Sequence, residues 1–221
     1  MKKEEGKYFY CAIKCNEEKS FGNIGLDNNE VYTIPIGDIS AVVSDSAMTD
    51  YELTEDNTKK HETVIQEIMN QYSVVPTEFG TTIKNEIILK RLLKKAYNPT
   101  VGSLKLVENM VELGLKVVQT EKTVFADTQN KEQYTADILE SLRAKAKQAV
   151  ACDLFSGRLV LNASFLVSKE KVENFSGEIA RLKDKYQSLK FLYSGPWAPH
   201  NFVYIRIGTE GVEIKKKTGA S

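Results

Sequence analysis

The sequence predicts an α+β fold in two domains, with ferredoxin-like, split βαβ character in the second. Three observations carry this. Segments rich in β-branched and aromatic residues, with a period of two, are separated by longer segments whose apolar residues recur every three or four positions. Near residue 110 the pattern restarts with a strand in which Val111, Leu113, Leu115 and Val117 alternate with Glu112, Gly114 and Lys116. From there the segments run β-α-β-α-β-β, close to a split βαβ unit. The expected division is an N-terminal α+β domain over 1–110, a C-terminal ferredoxin-like domain over 111–208 and a flexible tail over 209–221.

In the first domain, Tyr8 to Lys14, Val31 to Ile36 and Ile39 to Ser44 read as strands, and Gly37-Asp38 as a tight hairpin turn. Glu55 to Tyr72 is helical in spacing, with Val64, Ile65, Ile68 and Tyr72 on one face and Thr54, Asn57 or Thr58 available as caps. Ser73 to Thr82 follows as a strand, in which Phe79 is expected to fill the core and Gly80 to permit a bulge or a close approach. Glu86 to Tyr97 carries the apolar face Ile88, Leu89, Leu92, Leu93 and Ala96. Asn98-Pro99 ends that helix, and a short one runs to about Met110.

In the second domain, Val111 to Gln119 is a strand with one buried face. Its Glu112 and Lys116 are roughly 13 Å apart at ~3.3 Å per residue, too far to pair with each other. Lys131 to Leu154 is read as a helix striped by Ile138, Leu142, Ala146, Ala149 and Val150, and Arg158 to Ser168 as a central strand. Asn162 interrupts that apolar run. A buried amide needs partners, and the expected one is a nearby turn rather than a polar sheet face. Lys169 to Tyr186 is helical, and the strands Leu189 to Tyr193 and Phe202 to Ile207 flank a final turn.

Composition excludes classes of function more than it selects one. The 221 residues include 30 basic and 30 acidic side chains, with a pI near 6.8, so nothing marks nucleic acid or an anionic membrane as a partner. No segment has the roughly 20 consecutive apolar residues of a membrane helix, and no apolar run follows the basic start, so a cytoplasmic protein is expected. Cys11, Cys15 and Cys152 lack the spacing of a metal or redox motif and read as small packing side chains.

Catalytic chemistry finds no support. His61-Glu62-Thr63-Val64-Ile65 starts like a zinc-protease helix but has isoleucine at the second ligand position, and His200 is the only other histidine. His61 lies on the stripe of Ile65, Ile68 and Tyr72, which makes it a half-buried packing residue near a helix start. Gly22-Asn23-Ile24-Gly25 lacks the third glycine and the strand-to-helix setting of a nucleotide loop. No catalytic, cofactor-binding or metal-binding residue is assigned, no cofactor is expected, and the chain is not expected to be an enzyme.

The most distinctive stretch is Gly195-Pro196-Trp197-Ala198-Pro199-His200-Asn201-Phe202-Val203, with the single tryptophan between two of the five prolines. Pro196 and Pro199 stiffen the chain and Gly195 accepts positive φ, so Trp197 is held at a fixed angle. It is expected to plug the core, with a docking point for a partner as the other reading. This stretch joins Ile39-Ser40-Ala41-Val42-Val43-Ser44, His61-Glu62-Thr63-Val64 with Val75-Pro76-Thr77-Glu78-Phe79-Gly80-Thr81, and Val111 to Val117 with Leu161 to Val167. Together and in this order, these blocks resemble the GvpL/GvpF proteins of gas vesicle formation, and the resemblance spans nearly the whole chain.

The resemblance implies two α+β domains, at least one ferredoxin-like. It also implies an accessory or minor structural protein of the gas vesicle that binds the small amphipathic wall protein and other accessory proteins. Small-molecule or RNA binding by a ferredoxin-like module is the alternative; Tyr8, Phe9 and Tyr10 do not form the aromatic signature that stacks RNA bases. The residues expected to serve structure or interaction are Trp197, Pro196, Pro199, Phe79 and Asn162.

Overall fold

The computed structural model describes residues 5–47, 51–120, 128–208 and 211–216. It is an α+β protein with two compact units, one of Met1–Glu108 and Ala198–Lys216, the other of Asn109–Trp197 and Lys217–Ser221.

The first unit opens with β1 (Glu5–Ile13), β2 (Ser20–Gly22), β3 (Val31–Ile36) and β4 (Ile39–Ala47), then α1 (Glu55–Met69), β5 (Val74–Pro76), β6 (Thr82–Ile83), α2 (Glu86–Lys95) and α3 (Tyr97–Leu106). Its antiparallel sheet runs β2-β3-β4-β1-β5, with β6 also on β1. Ile36 faces Ile39 across the two-residue turn, where Gly37 takes φ +66° as such a hairpin requires. From Tyr8 to Ile13 every residue of β1 is fully buried.

Tyr10 is the extra residue of a β-bulge, because Phe9 pairs with Val43 and Cys11 with Val42. Its carbonyl accepts from Thr77 N at 2.9 Å and from Thr77 Oγ1 at 3.0 Å, so the bulge is satisfied by the segment after β5. Thr54 caps α1 by accepting from Asn57 N at 3.2 Å, and Asn85 caps α2 by accepting from Ile88 N at 3.0 Å.

Two expectations change here. Ser73 to Thr82 is two short strands separated by a turn closed by Thr81 Oγ1 donating to Glu78 O at 2.6 Å. Pro99 lies in the first turn of α3, where its missing N–H costs nothing, and the break comes earlier, at Ala96.

The second unit comprises β7 (Met110–Gln119), α4 (Thr128–Arg143), β8 (Gln148–Ala151), β9 (Leu159–Ser168), α5 (Val172–Lys185) and β10 (Leu189–Trp197). Its antiparallel sheet has the order β10-β7-β9-β8, so α4 carries the chain from β7 over β9 to β8, and α5 from β9 over β7 to β10. Leu113 pairs with Phe165, whose ring lies 5.1 Å from that of Phe175 on α5. Ile138, Leu142, Ile179 and Leu182 close this core from the helices.

The helix expected over Lys131 to Leu154 stops at Arg143, and the end of that segment is β8. Beyond it, Lys147 N donates to Leu166 O and Cys152 N to Asn162 O, both at 2.8 Å. The free edge of β9 offers hydrogen bonds that outweigh the weak helical stripe of Ala146, Ala149 and Val150. The element order is therefore β-α-β-β-α-β rather than β-α-β-α-β-β.

The remaining strands, β11 (Val203–Gly208) and β12 (Gly211–Lys216), form an antiparallel pair within the first unit, where Ile205 bridges Thr77 in parallel. This corrects the expected boundary at 208 and the expected tail over 209–221. Residues 211–216 are a strand, while 209–210 and 217–221 lie outside the described residues. Phe202, Val203 and Ile205 are buried, so the first unit gains apolar side chains from the end of the chain.

Candidate functional site

Two arrangements stand out, one in each unit. In the first, His61 on α1 is wholly buried between the aromatic residues of β1: its ring lies 5.6 Å from those of Tyr8 and Tyr10 and 5.7 Å from Phe79. The Tyr8 hydroxyl accepts from Gly80 N at 2.9 Å and lies 3.0 Å from His61 Nδ1. The Tyr10 hydroxyl accepts from Leu26 N at 2.9 Å and shares a hydrogen bond with Ser44 Oγ at 3.1 Å. His61 Nε2 makes no hydrogen bond of ordinary length.

Burial lowers the His61 pKa to about 4, although the Glu62 carboxylate and the Thr77 backbone favour the protonated ring. Burial pushes the Glu62 carboxyl up, but His200, whose Nε2 lies 3.3 Å from Glu62 Oε2, more than offsets this and holds it below its ordinary value. The arrangement is a neutral, packed imidazole beside a surface carboxylate–histidine pair. The sequence places His61 half-buried near the helix start; the structure encloses it completely, because Tyr8, Tyr10 and Phe79 converge on it from segments remote in sequence.

In the second unit, β10 ends in a bend. Ser194 pairs with Gly114 and Trp197 with Glu112, so one extra residue of β10 is accommodated at Gly195-Pro196, where the peptide bond is cis and Gly195 has φ +115°. Trp197 does not plug the core: 49% of its surface is exposed, and Pro196 is exposed beside it. A stiff segment fixes the direction of an indole but supplies nothing to cover it.

The other singled-out residues lie apart. Pro199 is buried in the first unit, where its carbonyl accepts from Phe202 N at 2.9 Å and Val203 N at 3.0 Å. Phe79 is half-buried, edge-on to Tyr8 at 6.4 Å, rather than at the centre of the core. Asn162 donates from Nδ2 to Asp153 O at 2.9 Å and so ties down the loop after β8. The two prolines serve different units and do not form one turn. Among the described residues, no three His, Cys, Asp or Glu side chains gather to hold a metal ion, and no helix is long and apolar enough to cross a membrane.

The fold and the ordered blocks define the class: the chain belongs to the family described as gas vesicle synthesis protein GvpL/GvpF, whose model matches residues 6–133 and 126–204. Among individual proteins, it is 35% identical over 184 residues to gas vesicle protein F1 of Halobacterium salinarum, covering 82% of this chain and 84% of that one. It is 37% identical over 185 residues to gas vesicle protein F of Haloferax mediterranei, covering 81% and 84%. The crystal structure of GvpF from Anabaena superposes with a TM-score of 0.79 at 20% identity, over 89% of this chain and 94% of that one, which shows a shared fold.

Proposed function

We propose that the protein is an accessory or minor structural component of gas vesicle assembly, without turnover of its own, which binds the small amphipathic wall protein and other accessory proteins in the cytoplasm or on the vesicle. The observation that carries this reading is the extent of the family match, which takes in most of both units and the bend at the end of β10. Apolar docking suits the surface better than strand addition at β3. Beyond the pairs Ser20 with Tyr32 and Gly22 with Val31, the rest of β3 carries Pro35, which has no N–H to offer an added strand.

Co-purification with tagged wall protein at low and at raised ionic strength tests the reading. Association that survives added salt is the expected result, since apolar contact is little screened. No association at either ionic strength, together with normal vesicles in a deletion strain, would sink it.

A further inference from the structure

Six large apolar side chains remain exposed among the described residues, and four of them lie in the second unit: Leu154 at 50%, Phe155 at 72%, Leu192 at 44% and Trp197 at 49%. The register, with one cation–π contact, places three of these on one surface. Tyr193 stacks toward Phe175 of α5 with ring centroids 6.3 Å apart, so its neighbour Leu192 points to the side of the sheet without helices. Leu192 lies opposite Lys116, and Trp197 opposite Glu112. Cross-strand partners share a face, and Glu112 and Lys116 are on the same face of β7.

Phe155 joins them through Lys116, whose ammonium sits 5.2 Å above its ring. Its loop is anchored by Asn162, the partner of Lys116 on β9, which donates to Asp153 O at 2.9 Å and accepts from Cys152 N at 2.8 Å. Apolar groups held in water at fixed positions mark a surface built for contact.

We propose that this helix-free face docks an amphipathic α-helix of a partner, its apolar side on Leu192, Phe155 and Trp197 and its flanking carboxylates on Lys116 and Lys190. The span from Lys116 to Glu112 along β7 is about 13 Å, and a helix covers that distance in about two and a half turns, presenting side chains at i, i+3 or i+4, and i+7. Charge selects the partner. Lys190, two residues before Leu192, shares its face, and neither it nor Lys116 has a carboxylate partner among the described residues. Glu112 is buried at 5% exposure, whereas Lys116 and Lys190 are exposed beside Leu192, so the sheet itself presents positive charge at that end. A second copy of the chain docked face to face would set lysines against lysines. The chemistry stands on this unit alone; that the helix belongs to the gas vesicle wall protein rests on the function proposed above.

The test uses the full chain and three synthetic helical peptides of about 14 residues, identical on their leucine face and flanked by glutamate, glutamine or lysine. Trp197, the only tryptophan, reports docking directly by a blue shift of its emission. The glutamate peptide should bind saturably with that shift, and the lysine peptide roughly tenfold more weakly at low salt. Leu192→Asp and Phe155→Ser should each abolish the shift without lowering the melting temperature, and Lys116→Glu should reverse the peptide preference.

Equal binding of the three peptides, or an undiminished shift in both Leu192→Asp and Phe155→Ser, would overturn the proposal. So would a concentration-dependent dimer that Leu192→Asp abolishes, or binding to anionic vesicles and to no peptide. Selective peptide docking in a chain that never co-purifies with wall protein, with normal vesicles in a deletion strain, would support this surface and remove the functional reading instead.

Discussion

The Tyr8 hydroxyl lies 3.0 Å from His61 Nδ1 while it accepts the Gly80 N–H at 2.9 Å. Among the described residues Nδ1 is the acceptor within reach of that hydroxyl's proton, an arrangement that suits the Nε2–H tautomer of a neutral ring. The ring is therefore neutral, and its buried state is linked to pH.

The folded His61 pKa of about 4 lies below the ordinary 6.5, so the unfolded chain takes up the proton more readily. The stability tied to His61 is complete above pH 6.5 and is lost as pH falls toward about 4, amounting to about 3 kcal/mol. Glu62, held below 4.5, adds stability that disappears at the acid end of the same range. Urea unfolding across this range should show the decline, and His61→Gln should be less stable near neutrality but flatter with pH. An unchanged pH profile in the variant would refute the assignment.

Tyr8→Phe removes the donor to His61 and the acceptor of Gly80 N–H together, leaving buried polar groups unsatisfied at about 1–3 kcal/mol each. Tyr32→Phe loses a hydrogen bond to the half-exposed Asp45 at 2.9 Å and the hydroxyl's interaction with Lys7, and should cost about 1 kcal/mol. Equal denaturation midpoints for the two variants would contradict the buried network.

A Cβ at Gly195 would lie 2.8 Å from the backbone oxygen of Glu112, and its φ of +115° is strained for any other residue. Gly195→Ala should destabilise by more than the about 1–3 kcal/mol of backbone strain alone. Gly177 in α5 has open space around its Cβ position, so Gly177→Ala should stabilise by about 1 kcal/mol. Thermal melts of the pair should shift in opposite directions.

Trp197→Ala should cost about 1–2 kcal/mol, below the about 3–5 of a fully buried tryptophan, because half of the side chain is already in water. Chemical denaturation measures it, and a loss as large as that of Phe165→Ala would return Trp197 to the core.

Legibility followed the range of the interactions. The β3–β4 hairpin and the alternation of β7 are written locally, in Gly37-Asp38 and in Val111 to Val117, and could be read directly. β8 depends on the free edge of β9, and β12 on a hairpin within the first unit, so neither is encoded in its own periodicity. In the sites, Asn162 announced itself as an amide in an apolar run. The stripe on α1 placed His61 on the inward face, but its full enclosure needed Tyr8 and Phe79, from distant segments. The exposure of Trp197 is not legible in Gly195 to Pro199, because stiffness is a local property and covering is not.

The return of Ala198–Lys216 to the unit begun by Met1–Glu108 makes the second unit an insertion in the chain. During synthesis the first unit must wait, lacking β11 and β12, while everything between is made. Within that insertion Trp197 pairs with Glu112, so its entry and exit strands end side by side. Folding the inserted unit first would shorten a long loop to a narrow gap before Ile205 reaches Thr77, removing much of the closure entropy. A substitution that unfolds only the second unit would then slow completion of the first without touching any of its side chains.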